Sequence, residues 1–193
     1  RYDLMSRFES IDLVATYSAA FRKEVFLDQG GFDEAFPKAN NEDTEFSYRL
    51  TRKGYQLVFV PSAVVKHTHP ETLTQYLAVK FWRAYWRIIV YARFPEKALK
   101  DRYTPLSLKM QTLGMMVILA ILPLCLVTMH CMYVILILLA AIGCSAIPFF
   151  RKSLQKDRKV APFALFILYG RGLVFALGSI YGMGSVFIKR IKD

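Results

Sequence analysis

Acidic residues run out early in this 193-residue chain, for beyond Asp101 only Asp157 and Asp193 remain. Lysine and arginine outnumber aspartate and glutamate by 26 to 15, yet mean hydropathy is positive. Excess cations joined to excess apolar residues suit a surface of anionic lipid headgroups better than nucleic acid, so no nucleic-acid partner is expected. Cysteine is scarce as well. Cys125, Cys131 and Cys144 are odd in number, lie in apolar sequence and show no CxxC or other ligand spacing. Neither a disulfide framework nor a cysteine-based zinc site is therefore indicated. No internal repeat and no low-complexity tract is present. No basic stretch followed by an apolar run stands near the start, so no signal peptide is visible, and the opening at Arg1 suggests that the start of the protein lies upstream.

Formal charge is the next absence. Residues 111 to 150 carry none, a length about twice the ~20 residues that one membrane span needs. A division near His130 gives a transmembrane hairpin, TLGMMVILAILPLCLVTM and CMYVILILLAAIGCSAIPFF, with both ends on one side. The cations before it and in RKSLQKDRK, 151–159, place that side in the cytoplasm, as for a multi-pass protein of the inner (cell) membrane. A third apolar segment, 160–193 with its basic tail, is long enough to cross again or to re-enter. It contains Arg171, which at membrane depth must face another helix, a lipid phosphate or water, and the glycines of GSIYG, Gly178 and Gly182, which permit close helix approach.

The front of the chain reads differently. DLVATYSAAF is extended, RKEVFLDQ is a helix stopped by Gly30-Gly31, and GFDEAFPKA is a loop. Asn40 or Asn41 can cap a second helix, with Glu42, Asp43 and Glu45 in its first turn, Arg49, Arg52 and Lys53 near its end, and Gly54 beyond. YQLVFV and AVVKHTH read as two short strands, the second carrying Val65, His67 and His69 on one face. From Glu71 to about Phe94 a long helix is expected. Its Trp82, Arg83, Trp86 and Arg87 suit the membrane interface, and a basic surface helix packed on the soluble part is the competing reading. The units are thus 1–70, an interfacial helix and basic connector over 71–110, the hairpin 111–150, a basic loop 151–159 and the last segment 160–193.

Taken alone, three acids at a helix start are what the helix dipole favours, and a pair of histidines two apart is commonplace. The order of the pieces is more specific. SAAFRKEVFLDQGGFDEAF, followed by NNEDTEFSYRLTRKGYQLVFVPSAVVKHTH, resembles the C-terminal half of the catalytic domain of family 2 glycosyltransferases, the GT-A enzymes, over about residues 12–70. In that family a GGFDE-like segment is followed by an ED-containing helix start, a Gly-Tyr turn, a VFVP-like strand and a histidine.

The resemblance implies an α/β fold, the C-terminal half of a Rossmann-like GT-A domain, followed by an α-helical membrane region. It implies that Asp43 is the catalytic base of an inverting transfer, taking the proton of the acceptor hydroxyl, with Glu42 as its helper. It implies a nucleotide-sugar donor, a lipid-linked or cell-envelope glycan acceptor, membrane lipids as partners, and a divalent metal, Mg²⁺ or Mn²⁺, on the diphosphate with His67 or His69 among its ligands. Ser18 and Arg22 are candidates for the acceptor or sugar pocket, a helix cap and a surface cation being equally good readings. The family's other metal ligands come from a DxD motif, and no DxD occurs in this sequence. The chain is therefore expected to be a fragment, inactive by itself. The QxxRW motif of the processive synthases is also lacking, since QYLAVKFWRAYWR keeps Gln75 and the tryptophans but not the motif, which favours single addition. The rival readings are a non-enzymatic membrane protein with a small basic lipid- or partner-binding domain, and a metal-dependent hydrolase.

Overall fold

The computed structural model describes residues 5–6, 8–37, 39–100, 104–159 and 161–192. Its helices, in chain order, are α1 (Lys23–Asp28), α2 (Glu42–Arg52), α3 (Leu73–Arg93), α4 (Pro95–Lys100), α5 (Leu106–Ile121), α6 (His130–Ser145), α7 (Ile147–Lys156) and α8 (Ala161–Lys192), with 3₁₀ turns at Thr16–Ser18 and Leu122–Leu126.

The α/β expectation is overturned: the described residues contain no strand and no sheet, only an isolated antiparallel bridge between Ile11 and Leu57. A strand exists by virtue of a ladder, and the alternating residues 55–60 find a single partner, through the Ile11 N–H donating to the Leu57 carbonyl at 2.9 Å. Val58 and Val60 are more than half exposed, and residues 61–70 are exposed throughout with no pairing neighbour. The Rossmann-like GT-A half-domain is accordingly not what these residues build.

What holds the front of the chain together is α2. Its first-turn acids and last-turn arginines match the helix dipole, and Gly54, at φ 88°, ends it in the left-handed region. Phe46 and Leu50 face Ile11, Leu57 and a nest of rings, Phe21, Phe26 and Phe32, meeting Phe46 edge-on at 5.1–5.4 Å. Tyr48 points the other way, into Phe36, Val90 and Phe94. Burying three such side chains contributes roughly 1.5–3 kcal/mol each. Glu45, read above as one of three first-turn acids, is buried and forms a two-pronged pair with Arg49 at 2.8 and 3.1 Å. Arg49 in turn donates to the carbonyls of Gln29 and Gly31, closing the loop after α1.

α3 opens with a reciprocal cap in which Thr72 and Gln75 each bond the other's backbone N–H. Gln75 is thereby occupied as a helix start. Along its length α3 packs on α8, and the glycine pair sets how closely. A Cβ at Gly178 would stand 2.3 Å from the Phe81 carbonyl oxygen, and one at Gly182 2.8 Å from that of Tyr85. Only hydrogen at both positions allows the two backbones to touch.

Behind α3, Met115, Ile118, Ile142, Leu168 and Ala176 of α5, α6 and α8 form a separate apolar core. Pro123 lies in the 3₁₀ turn that ends α5. The stretch 151–159, expected as a loop, is helical up to Lys156. Arg171 donates to Gln111 Oε1 at 3.1 Å, Gln111 donates to Ser145, and Ser145 to the Ile142 carbonyl, a polar chain that links three helices and of which Gln111 is buried. Among the described residues two helical stretches, Leu106–Leu126 and Pro162–Lys189, are long and apolar enough to cross a membrane, or three if His130–Ser145 and Ile147–Gln155, bent by 46°, form one span. Of the charged connector, 101–103 lie outside the described residues, as does Asp193 of the basic tail.

Gly178→Val should force α3 and α8 apart and destabilise the protein by about 1–3 kcal/mol, read as a fall of several degrees in the thermal midpoint in detergent. Gly184→Ala, where an added Cβ meets nothing within 4 Å, should cause no such loss.

Candidate active site

The segment 12–17 lies across the start of α2 and is held there by α2 side chains one turn apart. Ser47 Oγ accepts the Val14 N–H at 3.1 Å, and Asp43 Oδ2 accepts the Thr16 N–H at 3.3 Å. The alternate backbone donors of an extended chain thus meet residues i and i+4 of a helix. Asp43 is fixed further by the Thr44 hydroxyl, 3.2 Å from its other oxygen. An ionised carboxylate has about four acceptor positions, and these two bonds leave room for a substrate hydroxyl.

Asn41, the residue before α2, is buried and has φ 74°, and its side chain makes no cap. Instead Nδ2 donates to the Arg83 carbonyl at 2.9 Å, and Oδ1 lies 3.3 Å from the Thr44 hydroxyl. That amide ties the acidic turn to α3. Between them opens a cavity of about 210 Å³, in which Glu42 and Asp43 share the walls with Tyr17, His67, Arg83 and Arg87.

Glu42 binds back to the Asn40 N–H at 2.6 Å. Burial pushes its carboxyl above the usual glutamate range and the charge of Asp43 adds to the push, against its own and the Asn40 N–H groups and the Arg83 cation. At the other end of α3, Arg93 pairs with Asp33 and holds that carboxyl below the usual range.

The sequence candidates divide. Asp43, Glu42, His67, Arg83 and Arg87 come together in one cavity. His69, Ser18 and Arg22 do not line it: Ser18 ends the 3₁₀ turn and Arg22 stands exposed before α1. Of the residues expected at a membrane interface, Trp82 is 45% exposed, whereas Trp86 packs on Phe36 with ring centres 5.0 Å apart. Thr16, Tyr17 and the role of Asn41 were not read from sequence. The i, i+4 spacing of Arg83 and Arg87 signalled a shared face, though not which cavity it walls.

The metal set implied by the resemblance is not assembled here. His67 stacks on Tyr17 at 5.3 Å and meets His69 edge-on at 5.6 Å. Among the described residues no group of three histidine, cysteine or acidic side chains is placed to hold an ion. The described residues alone do not fit a metal centre, and no step is assigned to one.

Because the folded-state pKa of Glu42 is raised, its contribution to stability is present below the unfolded glutamate value and is lost as pH rises through the folded one. Glu42→Gln should remove that loss. Relative to the parent protein the variant should gain stability in chemical unfolding as pH rises above the ordinary glutamate range, and a difference that does not change with pH would contradict the assignment.

Among known proteins, a family described as glycosyl transferase family group 2 matches residues 8–176. No curated protein and no solved structure matches the chain.

Proposed function

The chain belongs to glycosyl transferase family group 2, and on that premise we propose that it serves an inverting sugar transfer from a nucleotide-sugar donor to an acceptor hydroxyl, with Asp43 as general base. The observation that carries the proposal is one cavity holding the Asp43 carboxylate beside Arg83 and Arg87. In the step proposed, the acceptor O–H proton passes to Asp43 as its oxygen bonds to the anomeric carbon. The bond from that carbon to the nucleoside diphosphate breaks on the opposite face, and the diphosphate leaves with the electron pair.

The neighbouring acids then divide their work by environment. Glu42, whose carboxyl pKa is pushed up by burial, orders the turn through Asn40, while Asp43, held by Thr16 and Thr44, accepts the proton. Arg83 and Arg87 bring positive potential to a cleft whose substrates are anionic. The sequence has no DxD for the donor diphosphate, so the proposal assigns this chain the acceptor side of the reaction and leaves it dependent on donor-binding residues it does not contain.

The acceptor is proposed to be a lipid-linked or cell-envelope glycan reached from the cytoplasmic face of the cell membrane. Support comes from the apolar helix α8 packed along α3, from α5 packed on α8, and from the cations of α3 and α7 flanking them.

Asp43→Asn in cell membranes containing the full-length protein should reduce sugar transfer by about 10²–10⁴-fold while nucleotide-sugar binding persists. Transfer at the parent rate would overturn the base assignment.

A further inference from the structure

α8 is long and apolar enough to cross a membrane, but the helix beside it is not free to go with it. The two run in the same direction, Gly170 meeting Leu77, Gly178 meeting Phe81 and Ala84, and Gly182 meeting Tyr85 and Ile88. The Tyr181 ring adds contacts to Phe81 at 6.3 Å and Tyr85 at 5.1 Å. Whatever depth α8 takes from residue 170 to 182, residues 77–88 of α3 take as well.

Polar chain stands at both ends of that stretch of α3. Before it, residues 61–72 are exposed and non-helical, with Lys66, His67 and Glu71 among them. Toward its other end Asn41 donates to the Arg83 carbonyl, and Asp33 pairs with Arg93. His67 and Arg83 line one cavity with Glu42 and Asp43, so the two ends belong to a single polar face. Exposed irregular backbone finds no hydrogen-bond partner in hydrocarbon. This part of α3, and with it residues 170–182 of α8, is therefore excluded from the bilayer core. The nine residues of α8 ahead of Gly170, Ala161–Tyr169, rise by ~14 Å against a hydrocarbon thickness of about 30 Å. They are too few to cross alone.

The apolar hairpin meets α8 at its open end. Gln111, near the start of α5, bonds Ser145, the last residue of α6, at 2.8 Å, so both open ends share one depth. Arg171 joins them through Gln111, at a level where headgroups and water are within reach of a guanidinium. Phe166, Leu173, Leu177, Ile180 and Phe187 recur at spacings of three, four and seven and are 38–67% exposed, which makes one apolar stripe along α8. Trp82 and Tyr181, each about half exposed, carry the same surface across to α3. A stripe of this kind, edged by aromatic rings, suits a helix lying in the plane of the headgroups with one face among acyl chains.

We propose that α8 does not cross the membrane. Locked to α3 by Gly178 and Gly182, it lies along the bilayer surface on the side of the Asp43 cleft, with the stripe from Phe166 to Phe187 set among lipid acyl chains. Among the described residues the hairpin of α5 and α6 alone crosses. The end of α8 then returns to the face that carries Asp43, and the paired helices form a raft that holds the cleft at headgroup depth. None of this requires the transfer reading.

The test places single cysteines in the full-length protein, its other cysteines replaced by serine, in sealed membrane vesicles of each orientation. Asp28→Cys and Lys189→Cys, both at exposed positions, should react with a membrane-impermeant maleimide from the same face. Met129→Cys, at the closed end of the hairpin, should react from the other. Labelling of Lys189→Cys from the face opposite Asp28→Cys would overturn the proposal, because α8 would then cross. Labelling of all three from one face would overturn it as well, since the hairpin would not. A nitroxide on Ile180→Cys in phosphatidylcholine vesicles reads the stripe directly, and dissolved oxygen should relax it more strongly than a water-soluble nickel chelate. Stronger relaxation by the chelate would put the stripe in water, and protection from both would put it under a protein partner; either result overturns the lipid contact. No sugar enters these measurements, so they can fail while Asp43→Asn still abolishes transfer, and can succeed if it does not.

Discussion

The close contact between α3 and α8 is the constraint on which the rest of the molecule depends. Two backbones approach at Gly178 and Gly182 more nearly than any side chain would permit, and that contact positions the helix that joins the front of the chain to α8. Facing away from the glycines, α3 offers Val90 and Phe94 to Tyr48, Trp86 to Phe36, and the Arg83 carbonyl to Asn41. The ion pairs at its far end, Arg93 to Asp33 and, just beyond, Lys97 to Asp12, tie it to the segments on either side of α1. The acidic turn and the apolar bundle thus share one wall.

That arrangement explains how a site can exist without a sheet. In an α/β domain the strand ends would set the positions of the reacting groups. Here a helix N-terminus, an extended strip bonded to Asp43 and Ser47, and the flank of α3 do so. The strip at 12–17 gains from α2 some of the hydrogen bonds that a neighbouring strand would otherwise supply.

How much of this was legible in the sequence follows from how local each signal is. The helix after the asparagines, the stop at Gly54, the long helix from Glu71 and the importance of the glycine pair were written into adjacent residues, because caps, dipoles and periodicities act within a few positions. The strands were misread because alternation in YQLVFV states only a preference, and whether a ladder forms depends on a partner elsewhere. Glu45 looked like its neighbours until the carbonyls of Gln29 and Gly31 gave Arg49, and hence Glu45, a buried role. The link between Asn41 and Arg83 spans 42 residues, and no property of either residue announces the other. The resemblance identified the family and drew attention to Asp43, while its histidine pair found no companions among the described residues.

The asparagine before α2 sets a narrow tolerance. Position 41 needs a backbone at φ 74°, and an amide hydrogen aimed at α3. Glycine satisfies the first and has no amide to offer. Aspartate tolerates the left-handed region, yet carries only acceptors when ionised and would set a third negative charge against Glu42 and Asp43. Glutamine has the amide on a longer stem and resists the backbone. Of the twin asparagines in NNEDTEF, the first is open to exchange, whereas the second is confined to a vocabulary of one residue.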